Sequence, residues 1–371
     1  FGSAAGYTDS QIIKGFSSST FIMLLGVSLL CTIATNNGTL ELAAKKFLRL
    51  SGGHVAITPV IIYLIGYIVA AIGPGCVPAL GIAAALSLPL GKSTGYNSVM
   101  LAAIGQIGSM AGRFSPITPE SVLIYNLASE QGITGYQTHT LIYATITTIV
   151  LSIVIFLVFK GFRIKEPQSK EKESLPAFTQ KQIITLVGFL AMIVASAFFK
   201  RNVGLISFAV AVVLLLLNVA DEKVVIKGVP WSTLMMVTGI GMLMNIVSDV
   251  GGVALMSNGL ASIMTPKTAV AIQGLSAGIL SWFSSAIGVV WPTMVPTVGA
   301  IAEQVGVKPE GLITIMCMTA SFAGFSPASN ATDPEFTKEK ENKLFIQMFG
   351  LSALLLLLTV LAGLLGLYNI L

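Results

Sequence analysis

Charge is what this sequence has least of. Asp, Glu, Lys and Arg make up 10% of its 371 residues, against about 25% in an ordinary soluble domain. Histidine occurs twice and cysteine three times. Cys31, Cys76 and Cys317 lie in apolar runs, with neither zinc-site spacing nor the density of a disulfide scaffold. They read as small core residues. His54 and His139 stand far apart at segment ends with no Cys or carboxylate cluster beside them, so the sequence offers no metal centre. No Walker-type phosphate loop is present, which leaves a gradient as the energy source for any transport. An intramembrane enzyme would need a nucleophile with a base or a metal cluster, and no span holds a His-containing constellation. The net charge of +5 implies no nucleic-acid partner; its placement bears on orientation instead.

What is present is apolar: 54% of residues are hydrophobic and the mean hydropathy is +0.86. The runs are helix-length and rich in Leu, Ile and Val without strand alternation, so the fold class is an all-α membrane protein rather than a barrel. Expected spans are Ser19–Leu42, Thr140–Phe159, Ile183–Phe199, Gly204–Val219, Ser232–Ile263 and a last one from Leu344. Lys45 to Arg49 reads as an interfacial arm. Residues 160–181, rich in Lys, Glu, Ser and Pro, form a hydrophilic linker.

Four stretches break the pattern. Thr58–Leu90 is cut at Ile72-Gly73-Pro74-Gly75-Cys76-Val77-Pro78, leaving arms of about 13 residues, shorter than the roughly 20 a full span needs. A re-entrant helical hairpin with its tip at mid-membrane is expected. A second hairpin is expected over Thr268–Glu303, interrupted at Ser284-Ser285-Ala286-Ile287-Gly288 and at Pro292 and Pro296. Broken helices are expected over Tyr96–Ala128, at Ala111-Gly112-Arg113-Phe114-Ser115-Pro116-Ile117-Thr118-Pro119, and over Gly311–Asn330, at Ala323-Gly324-Phe325-Ser326-Pro327-Ala328-Ser329-Asn330. Proline lacks an N–H and clashes one turn back, and groups freed that way are tolerated in hydrocarbon only where they face a protein cavity or polar ligand. Broken helices in matching places of two halves point to a transporter's binding site.

The halves do match. Lys14-Gly15 with Ser19-Thr20 pairs with Lys227-Gly228 with Ser232-Thr233, and Gly26 and Gly38 fall on Gly239 and Gly251. With small gaps the register continues through both hairpins and takes Lys92 and Gly95 onto Lys308 and Gly311. Two repeats, 1–160 and 182–371, joined by the linker at 161–181, are the expected organisation. Nothing before residue 14 matches the spans at 183–219, so an amino-terminally truncated piece of a longer carrier is expected. If the linker is cytoplasmic, 15 of the 21 cationic residues fall inside, as the positive-inside rule asks. That makes the repeats inverted and the hairpins enter from opposite faces, a pair of gates around one site more than an open channel.

Arg113 is the one strong cation at membrane depth, where burial costs about 2.5 to 3.5 kcal/mol. Its fork fits a substrate carboxylate; an internal pair with Glu120 or a boundary position is the alternative. Ser115, Thr118, Ser284, Ser285, Ser326, Ser329 and Asn330 can offer neutral hydrogen bonds to an anion, or can satisfy the broken backbone. Gly73, Gly75, Gly112, Gly288 and Gly324 expose carbonyls that suit sodium, or serve only to turn the chain. The carboxylates Glu120, Asp249 and Asp333 do not recur in both repeats, so sodium is the expected coupling ion and protons the alternative. No other cofactor is implied.

The motifs Ala34-Thr35-Asn36-Asn37-Gly38-Thr39, Arg49-Leu50-Ser51-Gly52-Gly53, Ala71-Ile72-Gly73-Pro74 and Gly112-Arg113-Phe114-Ser115-Pro116-Ile117 occur in that order. In this the sequence resembles the bacterial dicarboxylate carrier family that includes malonate carriers and, more remotely, the divalent anion:sodium symporters of the ion-transporter superfamily. The resemblance implies inverted repeats, a homodimer with scaffold and transport domains in the bacterial inner membrane, and secondary active uptake of small dicarboxylates. A citrate- or arsenite-type carrier is the alternative. The symporters carry Ser-Asn-Thr at their hairpin tips, whereas this chain has Ala70-Ala71-Ile72-Gly73 and Ser284-Ser285-Ala286. Many relatives have Gly where Arg113 stands.

Overall fold

Glycine, asparagine and proline set the helix ends. The computed structural model describes residues 2–3, 6–49, 55–73, 75–163, 175–199, 202–323 and 341–369; among them there is no strand. The first helices are α1 (Asp9–Lys14), α2 (Ser18–Asn36) and α3 (Thr39–Arg49). Ser19–Leu42 is therefore not one helix. Gly38 turns the chain at φ +71°, and Asn37 Oδ1 accepts from the Thr39 amide at 3.1 Å, ending α2 at Asn36. On α3, Lys45 pairs with Glu41 at 2.8 Å and Lys46 sits 4.2 Å from the Phe178 ring centre.

Next come α4 (Thr58–Ala71), α5 (Cys76–Thr94), α6 (Ser98–Gly112), α7 (Pro119–Ser129), α8 (Tyr136–Val158), α9 (Gln180–Phe199) and α10 (Val203–Leu216). The tip between α4 and α5 and the break between α6 and α7 lie where the glycines and prolines place them. The second arm is longer than expected: α5 runs through Pro89 to Thr94 and is closed by the left-handed Gly95.

The later helices are α11 (Glu222–Gly228), α12 (Trp231–Asp249), α13 (Gly252–Ser262), α14 (Ala269–Phe283), α15 (Trp291–Met294), α16 (Val298–Val305), α17 (Pro309–Phe322) and α18 (Glu341–Leu364). The expected span Ser232–Ile263 is split by Gly251, at φ +84°. Between α14 and α16 the second arm is irregular, with a π turn at Ala286–Val290 and a 3-10 turn at Val295–Thr297 flanking α15.

The repeat is written in the element bounds. A shift of 213 residues takes both ends of α2 onto α12 and of α3 onto α13 (18 to 231, 36 to 249, 39 to 252, 49 to 262). From α4 the shift is 211: Thr58 to Ala269 and Ser98 to Pro309, with left-handed Gly95 falling on left-handed Gly306. The structure thus pairs Gly95 with Gly306 rather than Gly311, because the shared feature is the glycine that stops the arm and not the nearby lysine. The backbone repeats as well. Arg113 closes α6 at φ −60°, ψ −17°, and Ala323 closes α17 at φ −61°, ψ −18°. Among the described residues α9 and α10 have no such mate.

Two compact units form, residues 22–122 with 145–230, and residues 1–21 with 123–144 and 231–371. The division expected at 160 and 181 is drawn along the repeat, and these units are a different partition. In the first unit α6 lies directly on α4: a Cβ at Gly108 would strike the Tyr63 carbonyl oxygen, and one at Gly112 that of Tyr67. Such spacing of small residues lets membrane helices approach to backbone contact. In the second unit the equivalent helices α14 and α17 are tied by Ser281 Oγ donating to the Ala320 carbonyl at 2.8 Å. Trp282 Nε1 donates to Ser352 Oγ of α18 at 2.8 Å.

Among the described residues, five runs are long and apolar enough to cross a membrane: Ser18–Asn36, Cys76–Thr94, Tyr136–Val158, Trp231–Asp249 and Ala286–Val305. Large apolar side chains such as Ile146, Ile153 and Leu157 on α8 and Leu216 on α10 are exposed, as lipid-facing positions are.

Candidate functional site

The first break builds the best-defined polar site. After α6 the chain makes two tight turns, with the Ser115 amide donating to the Gly112 carbonyl and the Thr118 amide to the Ser115 carbonyl, both at 3.0 Å. Thr118 then starts α7. Its hydroxyl donates to the Ser115 carbonyl at 2.9 Å and to the Arg113 carbonyl, and accepts from the Ser121 amide at 3.3 Å. A capping hydroxyl followed by proline at the first helical position is a favoured helix start.

This geometry turns Arg113 and Glu120 toward each other. Arg113 Nη2 lies 3.4 Å from Glu120 Oε1, with the two residues 5% and 3% exposed. The same Oε1 accepts from the amide of Cys76, the first residue of α5, at 2.8 Å. Glu120 Oε2 is buried and has no hydrogen-bond partner among the described residues. It rests on the tip: Gly75 stands at φ +75°, and a Cβ there would collide with Oε2. Cys76 Sγ lies 3.7 Å from Ser109 Oγ, closing the other side.

The carboxylate is held by three sources of positive potential. The first is Arg113. The second is the N-terminal end of α5, whose amide it caps. The third is the N-terminal end of its own helix α7, where it sits in the first turn. Helix N-termini carry about half a positive charge and bind anions. Arg113 in turn closes α6, where a cation complements the helix end. The arrangement is an anion site occupied by the chain's own carboxylate.

The other expected site residues are distributed as follows. Gly73 is buried at φ +132° beside Met192. Gly112 makes the α4 contact described above, and Ser115 is half-buried. In the second unit Ser284 ends α14 and donates to the Leu280 carbonyl at 2.7 Å. Ser285 accepts from the Gly288 amide at 3.1 Å, and Gly288 is packed under Met236. Gly324, Ser326, Ser329 and Asn330 lie outside the described residues. His139 Nδ1 is 3.0 Å from Thr314 Oγ1, and its ring centre lies 4.4 Å from that of Tyr143 at a 45° tilt. Among the described residues no three His, Cys, Asp or Glu side chains converge as a metal site. The sequence does not point to the Cys76 amide or to Ser109, and it offers Glu120 only as an alternative partner for Arg113 and as a carboxylate for the proton alternative. The Thr118-Pro119-Glu120 run was the available signal, since it marks a helix start with an acid in its first turn.

The sequence model of the citrate transporter family, CitMHS, matches residues 3–320. The chain belongs to this family. Membership makes it a secondary membrane transporter and not an enzyme. No curated protein matches the chain. Among solved structures, the crystal structure of the Alcanivorax borkumensis YdaH transporter is similar, with a TM-score of 0.67 at 12% identity over 96% of this chain and 87% of that one. MtrF of Neisseria gonorrhoeae, described as illuminating a class of antimetabolite efflux pumps, has a TM-score of 0.62 at 13% identity, over 96% and 83%. At such identities the likeness is one of fold, and it extends the all-helical transporter architecture to this member of the citrate transporter family.

Proposed function

We propose that the chain is a cation-coupled carrier of small polycarboxylate anions that works by alternating access. The substrate class includes citrate, named in the family's description, and the malonate-type and four-carbon dicarboxylates expected from the sequence. The observation that carries this reading is the anion site at the first tip, where Arg113 and the α5 amide of Cys76 converge on a carboxylate. A substrate carboxylate has the same charge and oxygen geometry, so the same donors serve it. The repetition of element bounds supports two inverted repeats, with the tip after α4 and the tip after α14 as gates.

Sodium is proposed as the coupling ion, held by carbonyls at the glycine-bearing tips. Protons are the second reading, favoured by the burial of Glu120 beside the first tip. A homodimer in the bacterial inner membrane completes the proposal. The test is uptake by proteoliposomes offered citrate, malate and malonate. Uptake that rises with an inward sodium gradient at fixed pH, and persists with a protonophore, supports sodium coupling. Uptake indifferent to sodium and abolished by the protonophore replaces sodium with protons. No uptake of any of the three sinks the substrate class.

A further inference from the structure

The two tips share a backbone plan but not a charge plan. At the second, the freed amide of Gly288 is answered by a neutral neighbour, Ser285 Oγ. At the first, the residue before α5 is Gly75, which has no side chain, and the Cys76 amide is answered by a carboxylate 44 residues further along. A hydroxyl would cap α5 without burying a charge. The chain instead buries a glutamate and an arginine at membrane depth, which is costly and calls for a functional reason. It also leaves Oε2 of that glutamate without a bond among the described residues, although buried polar oxygens are nearly always satisfied.

We infer that Glu120 is a tethered occupant of the substrate's own anion site, and that a substrate carboxylate enters by displacing it from Arg113 and the Cys76 amide. This rests on the reading that the chain carries polycarboxylates. Displaced, Glu120 loses both the guanidinium and the helix end. A bare buried carboxylate is not sustainable, so it takes up one monovalent cation: a proton, giving the neutral acid, or a sodium ion. The site then holds either Glu120 or substrate, and Glu120 carries the cation only in the second state. Coupling follows from that competition, and by reciprocity the cation tightens substrate binding as much as substrate tightens the cation's. Because the substrate-bound state holds the extra proton in the proton case, affinity there rises as pH falls.

Malate binding to the full chain in nanodiscs, measured calorimetrically in buffers of different ionisation enthalpy and with sodium or choline, tests this. The parent is expected to take up about one proton per malate, or to bind malate with sodium-dependent affinity. Glu120→Gln, neutral and of the same shape, should bind malate at least about tenfold more tightly, with both dependences lost. Glu120→Asp keeps the charge and should keep the dependence. Parental affinity and parental cation dependence in E120Q overturn the inference. Should E120Q not fold, infrared difference spectra of the parent with isotopically labelled malate decide. A protein carboxylate that changes on binding upholds displacement, and an unchanged carboxylate region overturns it. If the parent binds neither malate nor citrate, the functional reading fails and takes this inference with it; malate binding without displacement sinks the inference alone.

Discussion

The carboxylate of Glu120 fills the space that a side chain on residue 75 would need: a Cβ built on Gly75 falls onto Oε2. Gly75→Ala should therefore lower the thermal midpoint of the detergent-solubilised protein by several degrees, since overpacking costs about 1 to 3 kcal/mol and φ +75° adds backbone strain. The double variant with Glu120→Ala should recover part of the loss. Simple additivity of the two costs would show that the methyl group meets something else.

The Arg113–Glu120 pair calls for a double-mutant cycle. Each of Arg113→Gln and Glu120→Gln leaves a buried charge without its partner, which costs about 3 to 5 kcal/mol. The double variant removes both charges and should cost well under the sum. Unfolding by denaturant in mixed micelles is the measurement. Equal, additive and small effects would mean that the 3.4 Å contact is incidental.

Thr118 and Ser115 are expected to part company. Thr118→Val keeps the shape but removes the hydroxyl that caps α7 and bonds the Arg113 and Ser115 carbonyls, so it should destabilise by about 1 kcal/mol. Ser115→Ala loses no side-chain bond of that kind and should stay within about 0.5 kcal/mol of the parent. A stable Ser115→Ala protein with impaired uptake would mark Ser115 as a substrate contact.

Single cysteines at Ala71 and Ser285, beside the two tips, are expected to be labelled by a membrane-impermeant reagent from opposite sides, and to be protected by substrate. The native Cys31, Cys76 and Cys317 are buried, so background labelling should be low. Labelling of both from one side would break the inverted arrangement.

Much of this was open to inspection in the sequence because membrane helices announce their interruptions. Gly73 and Gly75 adopt positive φ that a helix does not use, Pro116 and Pro119 cannot donate back to the preceding turn, and the breaks lie there. The ends at Asn36 and Asp249 were harder to see. Apolar residues continue past both, and only a single left-handed glycine, Gly38 or Gly251, turns the chain. The pairing of Gly95 with Gly306 was hidden because lysines at 92 and 308 offered a competing match. The partnership of Glu120 with the α5 end was not legible at all. It joins residues 44 apart, and spacing along a chain says nothing of which helix end a side chain will reach.

In both repeats the arms on either side of the tip are unequal by the same number of residues. The arms are 14 and 19 residues in α4 and α5, and 15 and 20 in α14 and the Ala286–Val305 run. Five residues of helix rise about 7.5 Å. Laid side by side from a common tip, the two arms therefore end at different depths, and the shorter one stops a turn and a half before the longer reaches its Gly95 or Gly306 end. The helices that precede the short arms in the two repeats are α3 and α13, eleven residues each, with a 3-10 turn at Val55–Ile57 leading into α4. The outer end of each short arm therefore lies nearer its tip than the outer end of the long one, and removing five residues from α5 would level the first pair while leaving the second uneven.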